Sequence, residues 1–177
     1  MITSTVKYVG KLRTESVHEL SQSIIFTDAP KDNHGKGEAF SPTDLVATAL
    51  ASCMLSVIGI VALKENITPI DGTTVEVTKI MNQEPRRIGE IHIKITFPLN
   101  NYSEKEKIMY ERAAHTCPVS KSLHPDLKQI VEFIWQKAMG NPPFRYFGIV
   151  EIWRLQTFHF SKINVQSPRD SFAKRRH

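Results

Sequence analysis

A long uncharged run, residues 45–63, is the strongest pattern in the chain. Its apolar residues fall on every side of the helix that it predicts, so we expect this helix to be buried all round. The preceding residues are typical of a helix start, because Ser41 can cap, Pro42 suits the first turn and Asp44 is an acid where the helix dipole favours one. Cys53 lies in the middle of the run.

Alternating polar and apolar positions predict strands on both sides of this helix. Residues 2–28 are strand material with a turn or bulge at Gly10. Residues 73–81 and 88–98 alternate most regularly and predict a hairpin with one buried face. Residues 127–135 predict a last strand, with apolar and charged residues on opposite faces.

Loop and helix signals fill the spaces between these strands. Residues 29–40 form a loop rich in Gly, Pro, Asp and Asn, which carries Glu38 and runs directly into the long helix. Residues 103–116 predict a second helix that opens with a capping box. Pro118 can then open a short helix with Cys117 at its N-cap. Together these elements predict one α+β domain.

The predicted domain ends near residue 135, and the rest of the chain looks different. Residues 136–177 contain a Gly-Asn-Pro-Pro break at residues 140–143, then a segment dense in aromatic residues, and end in a basic cluster. We expect one domain at residues 1–135 and a C-terminal extension of unknown role at residues 136–177. Poor order is the first expectation for that extension, and an extra strand or a partner-binding arm is the second.

Charge and cysteine content narrow the functional class. Residues 1–135 hold 15 Lys and Arg against 16 Asp and Glu, whereas residues 136–177 hold 8 against 2. The body of the chain therefore has no basic stripe, which argues against nucleic-acid binding. Two cysteines are too few for a secreted disulfide framework, and the first residues lack a signal peptide's apolar core. We expect a cytoplasmic protein.

The run at residues 45–63 also has the length of a membrane span. Against that interpretation, it is rich in small residues, and no aromatic belt flanks it. A protein that does not contact the membrane is therefore the expectation. Solubility after removal of detergent would eliminate the membrane alternative.

The two cysteines differ in their predicted environments. A helix start at Cys117 would present unpaired N–H groups to its sulfur and favour the thiolate. Cys53 lies within a helix, where burial alone would raise its pKa, so a cation such as Arg13 would have to activate it. Two inert core cysteines and a solvated surface arginine are the simpler alternatives. A zinc site is a weak one, because its candidate ligands lack compact spacing; they are Cys53, Cys117, His115 and His124.

Three motifs, in this order and spacing, resemble a known family. They are YVGKLR at residues 8–13, EAFSPTDLVA followed by ASCM within residues 38–54, and HTCPVSKSL at residues 115–123. The chain resembles the OsmC/Ohr family of osmotically induced and organic hydroperoxide resistance proteins, on the OsmC-like branch. The resemblance covers residues 1–135. It implies an α+β fold in which antiparallel sheets wrap around two central helices, in an intertwined homodimer with active sites at the subunit interface.

The resemblance also implies a thiol-dependent peroxidase. Cys53 would attack an organic hydroperoxide, release an alcohol and become a sulfenic acid. Cys117 would then close a disulfide with Cys53, and a dithiol, which in this family is a lipoyl group on a partner protein, would reduce it. Arg13 matches the arginine that stabilises the thiolate. The reaction needs no metal or tightly bound cofactor. A non-catalytic module of the same fold, for redox sensing or small-ligand binding, is the alternative.

The chain departs from the family pattern at the start of the long helix. Better-known members have a glutamate there, which orients the arginine, whereas this chain has Thr43. Either Asp44, one position on, or Glu38, in the preceding loop, would have to replace it. A shift of one position turns a side chain by about 100° around the helix axis, so Asp44 would point in another direction from the family glutamate.

Overall fold

Six strands and three helices form the described part of the chain, residues 1–136 of a computed structural model. The strands are β1 (Ser4–Gly10), β2 (Arg13–His18), β3 (Ile24–Asp28), β4 (Thr74–Asn82), β5 (Arg87–Phe97) and β6 (Lys128–Trp135). The helices are α1 (Pro42–Glu65), α2 (Glu104–Ala114) and α3 (Pro118–Ser122), and a short 3-10 turn covers Lys31–Asn33. The expected extension at residues 136–177 lies outside the described residues except for Gln136.

The strands form two three-stranded sheets, ordered β1-β2-β3 and β4-β5-β6. The expectation of wholly antiparallel sheets is wrong for one pair, because β5 and β6 run parallel. The chain between Phe97 and Lys128 explains the difference, since it holds α2 and α3 and is long enough for the crossover that a parallel pair needs. The other three pairs are antiparallel neighbours in sequence.

The core lies between the second sheet and the helices. Alternate residues of β5 are buried, as the sequence pattern predicts, and they are Ile91, Ile93, Ile95 and Phe97. From α1, Leu50, Met54 and Ile58 recur every four residues and pack into the same cluster. Helix α2 adds Tyr110, which is fully buried and stacks on the Phe97 ring. The face of α1 that carries these residues is therefore fixed against β5 and α2.

The opposite face of α1 is open, although the sequence predicts a helix buried all round. Val46, Ile60 and Leu63 are 37%, 47% and 83% exposed. Within residues 1–136, no part of the chain covers this uncharged face. By length and composition α1 also passes for a membrane span, but one such helix is weak evidence because core helices of soluble proteins have the same properties.

The N-terminal sheet also leaves apolar residues in solvent. It packs chiefly on itself, whereas α1 packs on α2, α3, β4 and β5. In the register of the sheet, Val6 and Ile25 are neighbours on one face, and Ile24 and Phe26 lie on the other. All four are exposed. Neither face of this sheet is therefore fully covered by the described residues.

Candidate active site

The two cysteines meet where α1 packs against α3. Cys53 projects from the middle of α1 and is half-buried, and Cys117 is the fully buried N-cap of α3. Both are free thiols, and they lie close enough for Cys53 to raise the pKa of Cys117. Two residues far apart in the sequence are therefore neighbours in the fold, as a disulfide between them would require.

Cys117 has the N-cap position that the sequence predicts, but the expectation that this position favours its thiolate is wrong. The Ser120 N–H donates to its sulfur over 3.5 Å, which favours a thiolate. Burial nevertheless raises the pKa of the Cys117 thiol, and the adjacent Cys53 raises it further. A five-residue helix offers too little opposing stabilisation for a fully buried sulfur. The surroundings of Cys117 accordingly favour the protonated thiol over the thiolate.

Arg13 lies at the start of β2 and is not a solvated surface arginine. Its Nε and Nη2 donate to the two carboxylate oxygens of Asp28 over 2.7 and 2.8 Å, which makes a forked ion pair. Nη2 also donates to Glu38 Oε2 over 2.9 Å. The side chain is 34% exposed. Of the two carboxylates suggested by the sequence, the structure brings Glu38 to Arg13.

Asp28 is a residue of this cluster that the sequence analysis did not single out. It ends β3 as the cross-strand partner of Arg13, and its side chain is only 2% exposed. The Arg13 guanidinium and the Glu38 N–H, which donates over 2.9 Å, hold its pKa down to about 2 although burial opposes ionisation. Its partnership with Arg13 depends on strand register, which alternation alone does not give.

Asp44 belongs to a different cluster at the start of α1. Its carboxylate accepts from the Ser41 backbone N–H over 2.8 Å and forms a 2.8 Å ion pair with Lys79 of β4. Lys79 also donates to Thr43 Oγ1 over 2.7 Å. Asp44 is nine positions before Cys53, which puts the two side chains on opposite faces of α1 and about 13 Å apart along its axis. Within residues 1–136, Asp44 has no contact with Arg13.

A cleft of about 470 Å³ joins the Arg13 and Lys79 clusters and not the thiols. Glu38 lines it from the loop, Asp44 from α1 and Lys79 from β4. It therefore opens on the side of α1 that faces away from Cys53. In the part of the chain that the structure describes, Arg13 makes its hydrogen bonds to Asp28 and Glu38 and none to Cys53, so the candidate site is in two halves.

Metal ligation is not a feature of either half. Among residues 1–136, no group of three or more His, Cys, Asp and Glu side chains could hold a metal ion. His115 lies near the Phe133 ring at 6.2 Å between centroids, and His124 is near Asp126. The four ligands of the zinc alternative therefore do not converge, and thiol chemistry is what the cysteine pair can support.

Comparisons with known proteins agree with this architecture. Residues 35–132 match a family model described as OsmC-like protein. A structure from Psychrobacter arcticus 273-4, named for a proposed osmotic stress induced and detoxification response, is 55% identical. The match covers 75% of this chain and 96% of that one, with a TM-score of 0.72. A search of curated proteins found no match.

More distant structures share the fold alone. An OsmC like protein from Mycoplasma pneumoniae is 22% identical, with a TM-score of 0.63 over 75% of this chain and 94% of that one. An organic hydroperoxide resistance protein from Legionella pneumophila is 20% identical, with a TM-score of 0.58 over 76% of this chain and 98% of that one. Both confirm the α+β architecture.

Proposed function

This chain belongs to the OsmC-like protein family, and from that premise we propose that it is a thiol-dependent peroxidase that reduces organic hydroperoxides to alcohols. The family match and the hydroperoxide resistance protein among the structural neighbours support a redox or peroxide-related role. The observation that carries the finer proposal is that the Cys53 and Cys117 thiols are neighbours where α1 packs against α3. Two neighbouring free thiols can cycle between a dithiol and a disulfide by thiol–disulfide exchange.

The two cysteines divide the reaction between them. The Cys53 thiolate attacks the distal hydroperoxide oxygen, the O–O bond breaks, and the departing alkoxide takes a proton to become the alcohol. Cys53 is then a sulfenic acid. The Cys117 sulfur attacks the Cys53 sulfur, an S–S bond forms, and the sulfenic oxygen leaves as water with the Cys117 proton. The raised pKa of Cys117 suits this order, because Cys117 keeps its proton until Cys53 is oxidised.

A homodimer would unite the two halves of the site. The uncharged face of α1 and both faces of the N-terminal sheet carry exposed apolar residues, which a second copy could cover. Cys53 borders that face of α1, seven positions from both Val46 and Ile60. Arg13 would then stabilise the Cys53 thiolate of the partner subunit. Light scattering on the purified protein should give a dimer, and Ile60→Asp should give a monomer with lower turnover.

The reductant of this cycle is a dithiol, and the class expected is a lipoyl group on a partner protein. A dithiol attacks the Cys53–Cys117 disulfide, forms a mixed disulfide and closes its own S–S bond, which restores both thiols. The two free cysteines suit the reducing cytoplasm, where we place the protein.

The direct test is turnover of cumene hydroperoxide by purified protein with dihydrolipoamide. Wild type should produce cumyl alcohol with multiple turnovers. Cys53→Ser should abolish turnover, whereas Cys117→Ser should accumulate a Cys53 sulfenic acid that dimedone labels. Turnover that persists unchanged in Cys53→Ser would rule out the proposed function.

One observation favours a second candidate, a redox sensor without turnover. Within the described residues Arg13 makes no hydrogen bond to Cys53, so the thiol pair could oxidise reversibly without rapid attack on hydroperoxides. In that case a reversible Cys53–Cys117 disulfide would form under oxidant, but cumene hydroperoxide consumption with dihydrolipoamide would stay at the rate of a Cys53→Ser control.

A further inference from the structure

We propose that Asp28 is the positioning residue for Arg13, and that it takes over the role which a helix-start carboxylate would otherwise have. The inference rests on the proposed function, in which Arg13 stabilises the Cys53 thiolate. It follows from three features of the cluster: the forked ion pair between Asp28 and Arg13, the burial of Asp28, and the other contacts that Glu38 and Asp44 make.

The fork determines the orientation of the guanidinium. Asp28 accepts from Nε over 2.7 Å and from Nη2 over 2.8 Å, so it holds one edge of the planar group. A single contact would let the guanidinium rotate, whereas two parallel contacts set its plane and direction. Arg13 and Asp28 are direct cross-strand partners, so the β2–β3 ladder fixes the distance between them.

Burial makes Asp28 a rigid anchor. Its side chain is 2% exposed, and Oδ2 also accepts from the Glu38 backbone N–H over 2.9 Å. These contacts tie the carboxylate to β3 and to the loop before α1. A buried carboxylate held by several donors stays ionised and has few alternative rotamers.

Neither alternative carboxylate has these properties. Glu38 is 57% exposed and makes one contact with Arg13, over 2.9 Å. Asp44 is engaged with Lys79 and Ser41. Thr43 is uncharged and accepts from Lys79. Asp28 therefore supplies the orientation, and Glu38 supplies an additional exposed contact.

The arrangement leaves the far side of the guanidinium available. Within residues 1–136, the Nη1 atom of Arg13 has no hydrogen-bond partner, while Nε and Nη2 are occupied. Because the group is planar, fixing the Nε–Nη2 edge also fixes the direction of the Nη1 donors. Those donors are the ones that a thiolate can accept from.

The test measures the pH profile of Cys53 alkylation by iodoacetamide in a Cys117→Ser background, where Cys53 is the one cysteine left. Asp28→Asn keeps the shape but removes the charge and one acceptor. We expect the midpoint to rise by about one pH unit, which lowers the rate below the midpoint about tenfold. Asp28→Glu, which keeps the charge but displaces the fork, should shift the midpoint by less.

Two controls separate positioning from a merely structural effect. Asp32→Asn removes the same charge from a 2.9 Å pair with Arg86 and should leave the midpoint unchanged. In an Arg13→Gln background, Asp28→Asn should cause no further shift, because the arginine through which Asp28 acts is gone. Circular dichroism melts confirm that each variant is folded.

Three results would overturn the inference. They are an unchanged midpoint in both Asp28 variants, an equal Asp28→Asn shift with and without Arg13, or a larger shift from Asp44→Asn than from Asp28→Asn. The proposed function is tested separately. If Asp28→Asn shifts the midpoint of Cys53 alkylation but the protein does not turn over cumene hydroperoxide, the positioning role of Asp28 is supported and the peroxidase proposal is rejected. If Arg13→Gln causes no shift, the positioning inference fails, whereas the turnover assay with Cys53→Ser still decides the proposed function.

Discussion

Replacing Asp44 with asparagine tests whether this carboxylate supports α1 instead of the thiol chemistry. Asp44 completes a capping box with Ser41, and its ion pair with Lys79 joins the start of α1 to β4. Asparagine has the same shape and can still accept from the Ser41 N–H. Asp44→Asn therefore removes the negative charge and leaves most of the capping geometry in place.

The expected cost follows from the interactions that this charge makes. The 2.8 Å pair joins a 41% exposed Asp44 to a 16% exposed Lys79, so it should contribute about 1 kcal/mol, near the upper end for partly exposed pairs. An acid in the first turn adds about 0.3–1 kcal/mol through the helix dipole. We expect Asp44→Asn to lower the free energy of unfolding by about 1–2 kcal/mol, or about 3–6 °C in Tm.

The pH dependence of this difference has a definite sign. Burial opposes ionisation of Asp44, but Lys79 and Ser41 outweigh it, so its pKa is lowered in the folded protein. The carboxylate therefore stabilises the fold above its unfolded pKa of about 3.9, and this stabilisation disappears as pH falls through the lower folded value. The gap between wild type and Asp44→Asn should be full at pH 7 and should narrow below about pH 4.

Urea unfolding followed by circular dichroism measures the difference in the free energy of unfolding between wild type and Asp44→Asn. Glu76→Gln is a matched control, because it removes one acid from a 3.2 Å pair with Lys94 in which Glu76 is 75% exposed. Its effect should stay within about 0.5 kcal/mol. An Asp44→Asn effect no larger than that of Glu76→Gln, or a gap that does not narrow in acid, would refute the reasoning.

Two further predictions concern stability. Glu106 caps α2 through Ser103 and also accepts from the Thr68 N–H, and these contacts lower its pKa to about 2. Glu106→Gln should therefore destabilise the protein at neutral pH, and the loss of stability, measured by urea titration, should shrink between about pH 4 and 2. Met54 is fully buried between α1 and the sheet, so Met54→Ala should lower the free energy of unfolding by about 2–5 kcal/mol. Leu99→Ala, at a 58% exposed side chain, should change it by no more than about 0.5 kcal/mol. Equal losses of stability in the two variants would contradict the described core.

The fold was predictable from the sequence where local rules act. The caps of α1 and α2 occur at Ser41 and Ser103 as predicted, since capping depends on residues three positions apart. The strand pattern of β5 gives its buried face directly. The parallel pairing of β6 was not predictable, because periodicity reports which face of a strand is buried and not the direction of its neighbour.

The candidate site was predictable only in part. Cys53, Cys117, Arg13 and Glu38 were all identified from motifs, but Asp28 was not. A strand-end aspartate usually lies in solvent, and nothing in its neighbours along the chain indicates burial. Its role became visible once the β2–β3 register placed it opposite Arg13. The predicted direction of the Cys117 pKa shift was wrong for a related reason. A helix start can be recognised from neighbouring residues, whereas the burial that raises this pKa depends on the tertiary structure.

The sequence by itself determined the elements of this protein: a capped apolar helix around Cys53, alternating strands on both sides of it and a second cysteine at a short helix start. Periodicity and capping depend on residues close together in the chain, so they can be recognised without knowledge of the fold. Only the tertiary structure decided that the two thiols are neighbours, that Asp44 binds Lys79 and that Asp28 holds Arg13. Those outcomes depend on packing, register and burial, which join residues distant in the chain.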